Sequence, residues 1–242
     1  MPDALFADPR LAPLYDLFDD DRSDLAAYVA IVAELEAERV LDVGCGTGTF
    51  AVLLASRGLE VVGVDPALAS LEIAQRKPGA EGVRWLHGDA TSLPPLAVDV
   101  AVMTGNVAQA IVEPVDWSET LNGICAALRP GGFLIFETRD PSRRAWEEWT
   151  PAATRRVVEL CGGRSVERRH EVTEIRPPLV TFTTTFAFSD GDVLTSRSTL
   201  RFRERGEIEA DLVGHGYELL EVRDAPDRPG REFVFLVRWP GG

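Results

Sequence analysis

The stretch Val40–Phe50, with the sequence VLDVGCGTGTF, decides the fold of this chain. Its first residues are apolar and β-branched, which predicts a buried strand, and its last residues begin a helical pattern. Between them Gly44, Gly46 and Gly48 occupy alternate positions. Glycine lets the backbone approach a ligand that a Cβ atom would block, and a helix N-terminus offers unpaired N–H groups. Because an ordinary turn needs one glycine, this stretch predicts a site for a polar ligand.

Further apolar runs follow and alternate with helical patterns. The runs are EVVGVD, VRWLHGD, VDVAVM and GFLIFET, and the patterns between them include TFAVLLASRG and ALASLEIAQRK. Parallel strands need crossover connections, which helices supply, and strands covered on both faces show continuous apolar runs. The alternation therefore predicts an α/β fold, with a doubly wound and mostly parallel sheet from about Arg39 to Thr138.

After Thr138 the apolar pattern changes to strict alternation. One face of a strand is predicted to carry Val180, Phe182, Phe186 and Phe188, while Thr181, Thr183 and Thr185 point the other way. The sequence SDGD at 189–192 predicts a hairpin turn. We therefore expect an antiparallel insertion over 140–203 that covers a ligand site. A helix and the strands YELLEVRD and EFVFLVRW follow in 204–242 and predict a hairpin that closes the sheet.

Length and composition indicate one folded domain. The chain has 242 residues, of which 45% are hydrophobic and 26% charged, so disorder is excluded. Apolar residues recur at helical spacing between Ser23 and Glu38, which predicts a helix capped by Ser23. The predicted organisation is a single domain over 1–242, which divides into an N-terminal helical cap (1–38), a cofactor-binding core (39–139), the β insertion (140–203) and the C-terminal helix with its closing hairpin (204–242).

Charge and cysteine content restrict the partners. The net charge of −14 disfavours nucleic acid and anionic membranes, since both require a basic surface. The first residues carry acids where a secretory signal carries bases, and we expect a cytoplasmic protein that acts as a monomer or homodimer. Cys45, Cys125 and Cys161 share no metal-binding spacing, so we expect no metal.

The glycine spacing separates this chain from dinucleotide-binding proteins, whose third glycine falls one position later, where this chain has Thr49. With Asp42 two residues before the first glycine, the string DVGCGTG resembles the first motif of class I S-adenosylmethionine (SAM) dependent methyltransferases that act on small molecules. The likeness runs from about Tyr15 to Thr138 and resumes in the C-terminal strands. It implies the Rossmann-like methyltransferase fold with a seven-stranded sheet.

The resemblance assigns roles to the glycine loop. In that family the loop lies against the methionyl part of the cofactor and an acid helps to hold the amino group. These roles correspond here to Asp42 for the amino group and, for the loop, to Gly44, Cys45, Gly46 and Gly48.

Two further acids end the next two predicted strands. Asp65 stands 21 residues after the first glycine, where an acid can bind both ribose hydroxyls of SAM or of NAD, and it can also cap the following helix. The segment HGDATSLP resembles the family segment in which an acid, here Asp89, accepts a hydrogen bond from the adenine amino group. Ala90 would donate its backbone N–H, and Pro66 would lie near the adenine. Asp89 can alternatively cap its own turn.

Other candidates come from the flanks of the core. LYDLFDDD resembles the tyrosine-aspartate element that closes over the cofactor, which makes Tyr15 a candidate lid; core packing of an amphipathic helix is the alternative. In TGNVAQAI, Asn106 and Gln109 occupy positions that line the methyl-transfer site in related enzymes, the first on the cofactor side and the second on the acceptor side. Both can equally be polar loop residues.

The acceptor side is predicted from residue chemistry. His170 is the candidate catalytic base, because an oxygen nucleophile needs a proton acceptor. Trp146 and Trp149 can bind an aromatic or apolar acceptor or pack in the core. Arg139 can bind a carboxylate or phosphate of the acceptor or belong to a solvated, ion-paired surface.

These observations predict an enzyme, a SAM-dependent methyltransferase that transfers a methyl group to an O or N atom of a small molecule by in-line displacement. S-adenosylhomocysteine is then the product. Two alternatives stay open, an NAD-linked oxidoreductase and a SAM-binding regulator without catalysis. The oxidoreductase is disfavoured by Thr49 and by the closing hairpin.

Overall fold

The structure is a computed structural model that describes residues 2–241. Its helices are α1 (Ala4–Ala7), α2 (Ala12–Phe18), α3 (Leu25–Glu34), α4 (Thr49–Ala55), α5 (Leu68–Ala74), α6 (Val107–Ala110), α7 (Pro114–Ala127) and α8 (Arg205–Gly214). Short 3-10 turns include Ala90–Ser92 and Ala145–Glu148. Within the described part of the chain, no helix combines the length and the apolar composition needed to cross a lipid bilayer.

Eleven strands form two sheets. The strands are β1 (Arg39–Val43), β2 (Glu60–Asp65), β3 (Val83–His87), β4 (Val98–Met103), β5 (Leu128–Arg139), β6 (Arg156–Leu160), β7 (Arg164–Arg176), β8 (Leu179–Phe188), β9 (Val193–Arg201), β10 (Glu218–Asp224) and β11 (Glu232–Arg238). The large sheet has the order β10-β11-β5-β4-β1-β2-β3, and β6 to β9 form the small sheet.

The large sheet is parallel from β3 to β5, and β11 and β10 then add in antiparallel orientation. The predicted doubly wound, seven-stranded fold and its closing hairpin are thus confirmed. The order reverses at β1, since β2 lies on one side of it and β4 on the other. In such sheets ligands bind at the carboxyl ends of the strands beside this switch point. Met1 and Gly242, the ends of the predicted domain, lie outside the described residues.

Helices cover both faces of the large sheet because its strands are apolar on both faces. One face packs against α7 and α8, where Trp117 contacts Phe136 edge-on with ring centroids 5.7 Å apart. The other face packs against α3 and α4, and there Tyr28 contacts Phe50 at 6.3 Å. These two cores hold the strand ends that carry the candidate ligand residues in one rigid edge.

The antiparallel insertion predicted after the fifth strand is confirmed as the small sheet. Its inner face packs on two separate apolar clusters. The first cluster, which we call the Phe18 cluster, consists of Leu11, Leu14, Phe18, Val166 and Phe186. The second, the Trp146 cluster, consists of Trp146, Val180 and Phe202, with Trp149, Val172 and Leu200 packed against it.

The N-terminal helices lie between the two sheets. The backbone N–H of Leu5 donates to Ser196 Oγ of the small sheet at 2.8 Å, and Ser70 Oγ of α5 donates to the Phe6 carbonyl at 2.9 Å. The predicted cap at Ser23 is wrong. The helix begins at Leu25, and the Ser23 backbone N–H is instead bound by the Asp21 carboxylate at 3.0 Å.

Close packing of α7 on the turn after β3 depends on a glycine. A Cβ on Gly123 would lie 2.6 Å from the carbonyl carbon of Ala90, and closer still to its oxygen. We expect Gly123→Ala to lower the free energy of unfolding by about 1–3 kcal/mol through overpacking, although alanine favours helices. Gly206→Ala in α8 is the matched control, because its Cβ would meet no atom of residues 2–241 within 4 Å. Urea unfolding of both variants measures the difference, and equal stabilities would refute the packing argument.

Candidate functional site

The glycine loop turns sharply at the end of β1. Gly44, Gly46 and Gly48 have φ values of 72°, 53° and 79°, which lie in the region that favours glycine. The N–H groups of Gly44 and Cys45 both donate to the Val64 carbonyl, at 2.9 and 3.1 Å, and so bind the loop to β2. A Cβ on Gly46 would face open space, with no described atom within 4 Å. The loop therefore presents bare backbone at Gly46, whereas Gly44 and Gly48 make room for the side chains of Val107 and Trp85.

Asp65 connects this loop to the next turn. Its two carboxylate oxygens accept hydrogen bonds from the N–H groups of Gly46 at 2.8 Å and Ala67 at 2.7 Å. The side chain is almost fully buried, and burial raises the pKa of its carboxyl, which these two N–H groups partly oppose. The alternative that Asp65 caps α5 is not met, because Ala67 holds the cap position without a side-chain cap; Asp65 instead fixes the turn before the helix. Each oxygen has a second lone pair, so binding of ribose hydroxyls is compatible with it and stays a prediction.

Asp42 lies beneath the loop with an unsatisfied oxygen. Its residue is 1% exposed, and among residues 2–241 its Oδ2 has no hydrogen-bond partner. Burial and the nearby Asp65 raise the pKa of Asp42 to about 7, while the Arg22 guanidinium acts in the opposite direction. A buried carboxyl without a donor is costly. It fits a cofactor that brings an ammonium group to this point, as the resemblance implies.

Asp89 lies at the end of β3, so the ends of three neighbouring strands carry acids. It is exposed, and its Oδ1 accepts hydrogen bonds from the N–H and the Oγ1 of Thr91, at 2.9 and 2.6 Å. The predicted cap of its own turn is therefore present. Ala90 is buried under α7, while His87 Nε2 lies 3.1 Å from the carbonyl oxygen of Pro66. The binding of adenine by this turn stays a prediction.

Helix α2, which carries Tyr15, is bound to the glycine loop through the side chain of Asp16. Lys77 Nζ lies 2.7 Å from Asp16 Oδ2, and Thr47 Oγ1 donates to Asp16 Oδ1 at 2.6 Å. Lys77 also donates to Thr49 Oγ1 at 2.6 Å. The Tyr15 ring lies 5.6 Å from that of Phe6, and burial raises the pKa of its phenol to about 12. The predicted lid is thus placed beside the loop, and its closure over a cofactor stays a prediction.

The turn after β4 is a buried polar network. Asn106 has a left-handed backbone, and its N–H donates to Glu137 Oε1 at 2.9 Å. Burial raises the pKa of Glu137 to about 7. Gln109 is fully buried, and its Oε1 accepts from Arg139 at 2.9 Å, so its amide is already engaged. Arg139 also lies 3.6 Å from Glu232. These contacts hold the site edge rigid at the start of α6.

The insertion over 140–203, which we call the roof, brings the remaining predicted residues together. Trp146 is buried in the Trp146 cluster, as the core-packing alternative predicts. Trp149 is half-buried and contacts Phe182 edge-on at 5.0 Å, and the Arg139 guanidinium lies 5.5 Å from its ring. His170 Nδ1 lies 2.9 Å from Thr184 Oγ1. Burial, together with the charge of Arg168, lowers the pKa of His170 to about 4.

Sequence reasoning missed four residues at this edge. They are Arg22, Lys77, Glu137 and Glu232, and each acts through a partner distant in the chain. Lys77 had one signal, because it is the single lysine of the sequence. Glu137 had another, since a charged residue inside the apolar run GFLIFET must be buried with a partner.

The sequence of this chain is similar to a family model and to individual methyltransferases. A family model described as a methyltransferase domain matches residues 40–132. A demethylmenaquinone methyltransferase from Thermus thermophilus is 34% identical over 165 residues, which cover 64% of this chain and 74% of the relative. A cypemycin N-terminal methyltransferase from a Streptomyces species is 33% identical over 146 residues, which cover 59% of this chain. The chain thus spans 60% of the length of that second relative.

Solved structures share the fold. A SAM-dependent methyltransferase from Clostridium acetobutylicum superposes with a TM-score of 0.74 at 18% identity, covering 96% of this chain and 98% of that one. A sugar N-methyltransferase from Streptoalloteichus gives 0.74 at 22% identity, covering 93% and 92%. An amino pentose methyltransferase from Micromonospora echinaspora, whose structure contains SAM, gives 0.70 at 21% identity, covering 91% and 93%.

The raised pKa of Asp42 predicts how stability depends on pH. The folded protein holds a proton on Asp42 up to about pH 7, whereas the unfolded chain loses it near 3.8. This group therefore contributes stability that is complete below pH 3.8 and is lost as the pH rises through 7, with a slope of up to about 1.4 kcal/mol per pH unit. We expect Asp42→Asn to remove this decline.

Urea unfolding of the ligand-free protein at pH 5, 6, 7 and 8 measures the effect. The difference in unfolding free energy between Asp42→Asn and the parent chain should grow with pH over this range. Comparing the two proteins at each pH removes the contribution of Glu137, whose pKa is also raised to about 7. A difference that is constant with pH would contradict the buried, protonated Asp42.

Proposed function

Since this chain belongs to the class I SAM-dependent methyltransferases, we propose that it transfers the methyl group of SAM to an oxygen or nitrogen atom of a small molecule. The observation that carries the proposal is the buried Asp42 carboxyl, whose Oδ2 lacks a partner within 2–241 directly under the glycine loop. The methionyl end of SAM supplies an ammonium group, and the loop supplies open backbone at Gly46. The site therefore fits the cofactor in charge and offers it backbone to approach.

The same edge offers groups for the ammonium, the ribose and the adenine of the cofactor. We assign Asp42 to the ammonium group; the Arg22 guanidinium, whose charge acts on Asp42, is itself paired with Asp24 at 3.2 Å. Asp65 is assigned to the ribose hydroxyls, Asp89 and the Ala90 N–H to the adenine. The loop residue Cys45 is a neutral neighbour, because burial raises the pKa of its thiol well above the usual range. Asn106, in the turn after β4, is assigned to the cofactor side of the site.

When bound, the cofactor supplies an electrophilic methyl group on a sulfonium ion, so the chain has to align the acceptor and exclude water. Tyr15 and helix α2 exclude water on one side of the site, and the small sheet excludes it on the other side. The acceptor is aligned by residues around the turn after β4, among them Gln109 and Arg139, and by Trp149 of the roof. The acceptor atom attacks in line with the breaking bond from sulfur to carbon.

His170 is better suited to contacting the acceptor than to accepting a proton from it. Its lowered pKa of about 4 keeps the ring neutral at pH 7. General bases work best with a pKa near the operating pH, so this ring is a weak base there. We propose that His170 contacts the acceptor as a neutral group and that a nitrogen acceptor, which attacks as a free amine, needs no base from the protein.

The partners, the location and the assembly of this protein are also proposals. The acidic composition supports a protein without nucleic-acid partners, and we propose a cytoplasmic location. A monomer or homodimer is proposed for the assembly. An NAD-linked oxidoreductase finds no support in the family match, and a regulator without catalysis would bind SAM but transfer no methyl group.

Removing the Asp65 carboxylate tests the cofactor site. We expect Asp65→Ala to weaken the binding of S-adenosylhomocysteine at least about tenfold, because charge-assisted hydrogen bonds to the ribose hydroxyls are lost. Isothermal titration calorimetry measures the affinity. Asp192→Ala is the control, since Asp192 is an exposed acid in the turn of the roof.

Asp65→Asn and thermal unfolding complete this test. The amide keeps an acceptor oxygen for one of the two backbone N–H groups that Asp65 binds, so this variant should hold the loop better than alanine does. An affinity unchanged in both variants, with the melting temperature lowered, would confine Asp65 to the turn before α5 and argue against our assignment of the ribose site.

A further inference from the structure

A polar gap separates the two apolar clusters under the small sheet. Along the inner face of β7 the side chains are Val166, Arg168, His170 and Val172, at alternate positions. Val166 belongs to the Phe18 cluster and Val172 packs against the Trp146 cluster. Arg168 and His170 therefore lie between the two clusters, on the side of the sheet that faces the cofactor edge. Two polar side chains inside an apolar layer require partners.

The Nε atom of Arg168 lacks such a partner among residues 2–241. Its guanidinium lies 4.7 Å from the Phe18 ring, and its neighbours across the strands are Arg156 and Phe186. The Nε atom is buried and, within the part of the chain that the structure describes, has no hydrogen-bond partner. Burial lowers the pKa of Arg168, which the more distant Asp19 only partly opposes. The Nε–H group is therefore a donor left free for a ligand, and the guanidinium fork can add a second N–H beside it.

Flat rings border the same gap. His170 contacts Phe182 edge-on with centroids 5.7 Å apart, and Phe182 contacts Trp149 at 5.0 Å. Arg139 lies over the Trp149 ring on the far side. The phenol of Tyr15 acts on the pKa of both arginines, Arg139 and Arg168, so it lies within electrostatic range of each. The lining therefore runs from one arginine to the other through aromatic side chains, next to the candidate lid.

We propose that this gap, which we call the Arg168 gap, binds the methyl acceptor, and that Arg168 binds an anionic substituent on a flat ring of that acceptor. A carboxylate or a phosphate would accept two parallel hydrogen bonds from the guanidinium. The aromatic side chains Trp149 and Phe182 would contact the ring. The gap is a local positive site in a chain of net charge −14, so it would also select anions from the surrounding solution. This inference rests on the proposed function.

Simple anions of this class test the Arg168 gap without knowledge of the natural acceptor. Calorimetry compares benzoate, phenyl phosphate and the neutral benzamide, each with protein saturated in S-adenosylhomocysteine and each with ligand-free protein. We expect at least one of the two anions to bind at least about tenfold more tightly than benzamide. Arg168→Gln should abolish that preference and leave benzamide binding unchanged. The anion that binds more tightly shows whether the site prefers a carboxylate or a phosphate.

The neighbouring arginine is the matched control. Arg169 lies on the opposite face of β7, is exposed and pairs with Glu167 at 3.8 Å, so Arg169→Gln should keep the preference for anions. Equal binding of anion and amide, an unaltered preference in Arg168→Gln, or no binding of any of the three compounds would overturn the proposal. Failure of S-adenosylhomocysteine to bind the parent protein would instead overturn the proposed function, and the ligand-free arm separates the two results.

Discussion

The two hydrogen bonds of the Asp65 carboxylate are the constraint on which the site depends. One oxygen fixes Gly46 in the loop after β1, and the other fixes Ala67 in the turn after β2. Two loops on neighbouring strands thus share one side chain, and their geometry cannot change independently. The carboxyl is buried at a cost that its raised pKa reflects, and two backbone donors offset part of that cost. The loop is therefore formed before any ligand arrives.

A second set of contacts brings the N-terminal helices to this preformed loop. The ion pair of Lys77 and Asp16, with Thr47 between them, joins α2 to the residues that follow the glycines. The same helices contact the small sheet through Leu5 and Phe18. The lid candidate Tyr15 therefore lies on a helix that contacts both the cofactor edge and the small sheet. Its closure over a cofactor stays a prediction, and that closure would act on both.

Local patterns in the sequence were sufficient to predict the sheet, the loop and the roof. Continuous apolar runs mark buried parallel strands, and the alternation around Phe182 marks a strand with one covered face. Capping was less predictable. Ser23 has the residue type of a cap, but the helix begins at Leu25 with Asp24 in the cap position, and no side chain caps it. A cap depends on the path of the preceding chain as well as on its residue type.

Residues whose role depends on distant partners escaped prediction for a physical reason. Arg168 looks like any arginine of a polar strand, and only the pairing with β6 and β8 shows that it faces inward beside Phe18. Gln109 was predicted to line the acceptor site, yet its amide is engaged by Arg139 and its role there stays a prediction. Such assignments require the packing of segments that are far apart in the chain.

The most direct measurement is the thermal unfolding of the parent protein alone, with S-adenosylhomocysteine and with NADH. A ligand at 100 times its dissociation constant stabilises the fold by about 2.7 kcal/mol, which corresponds to a rise of roughly 5–10 °C for a chain of this size. Our account predicts this rise with S-adenosylhomocysteine and none with NADH. A rise with NADH alone, or with neither compound, would contradict the assignment of the glycine loop and its three acids to a SAM site.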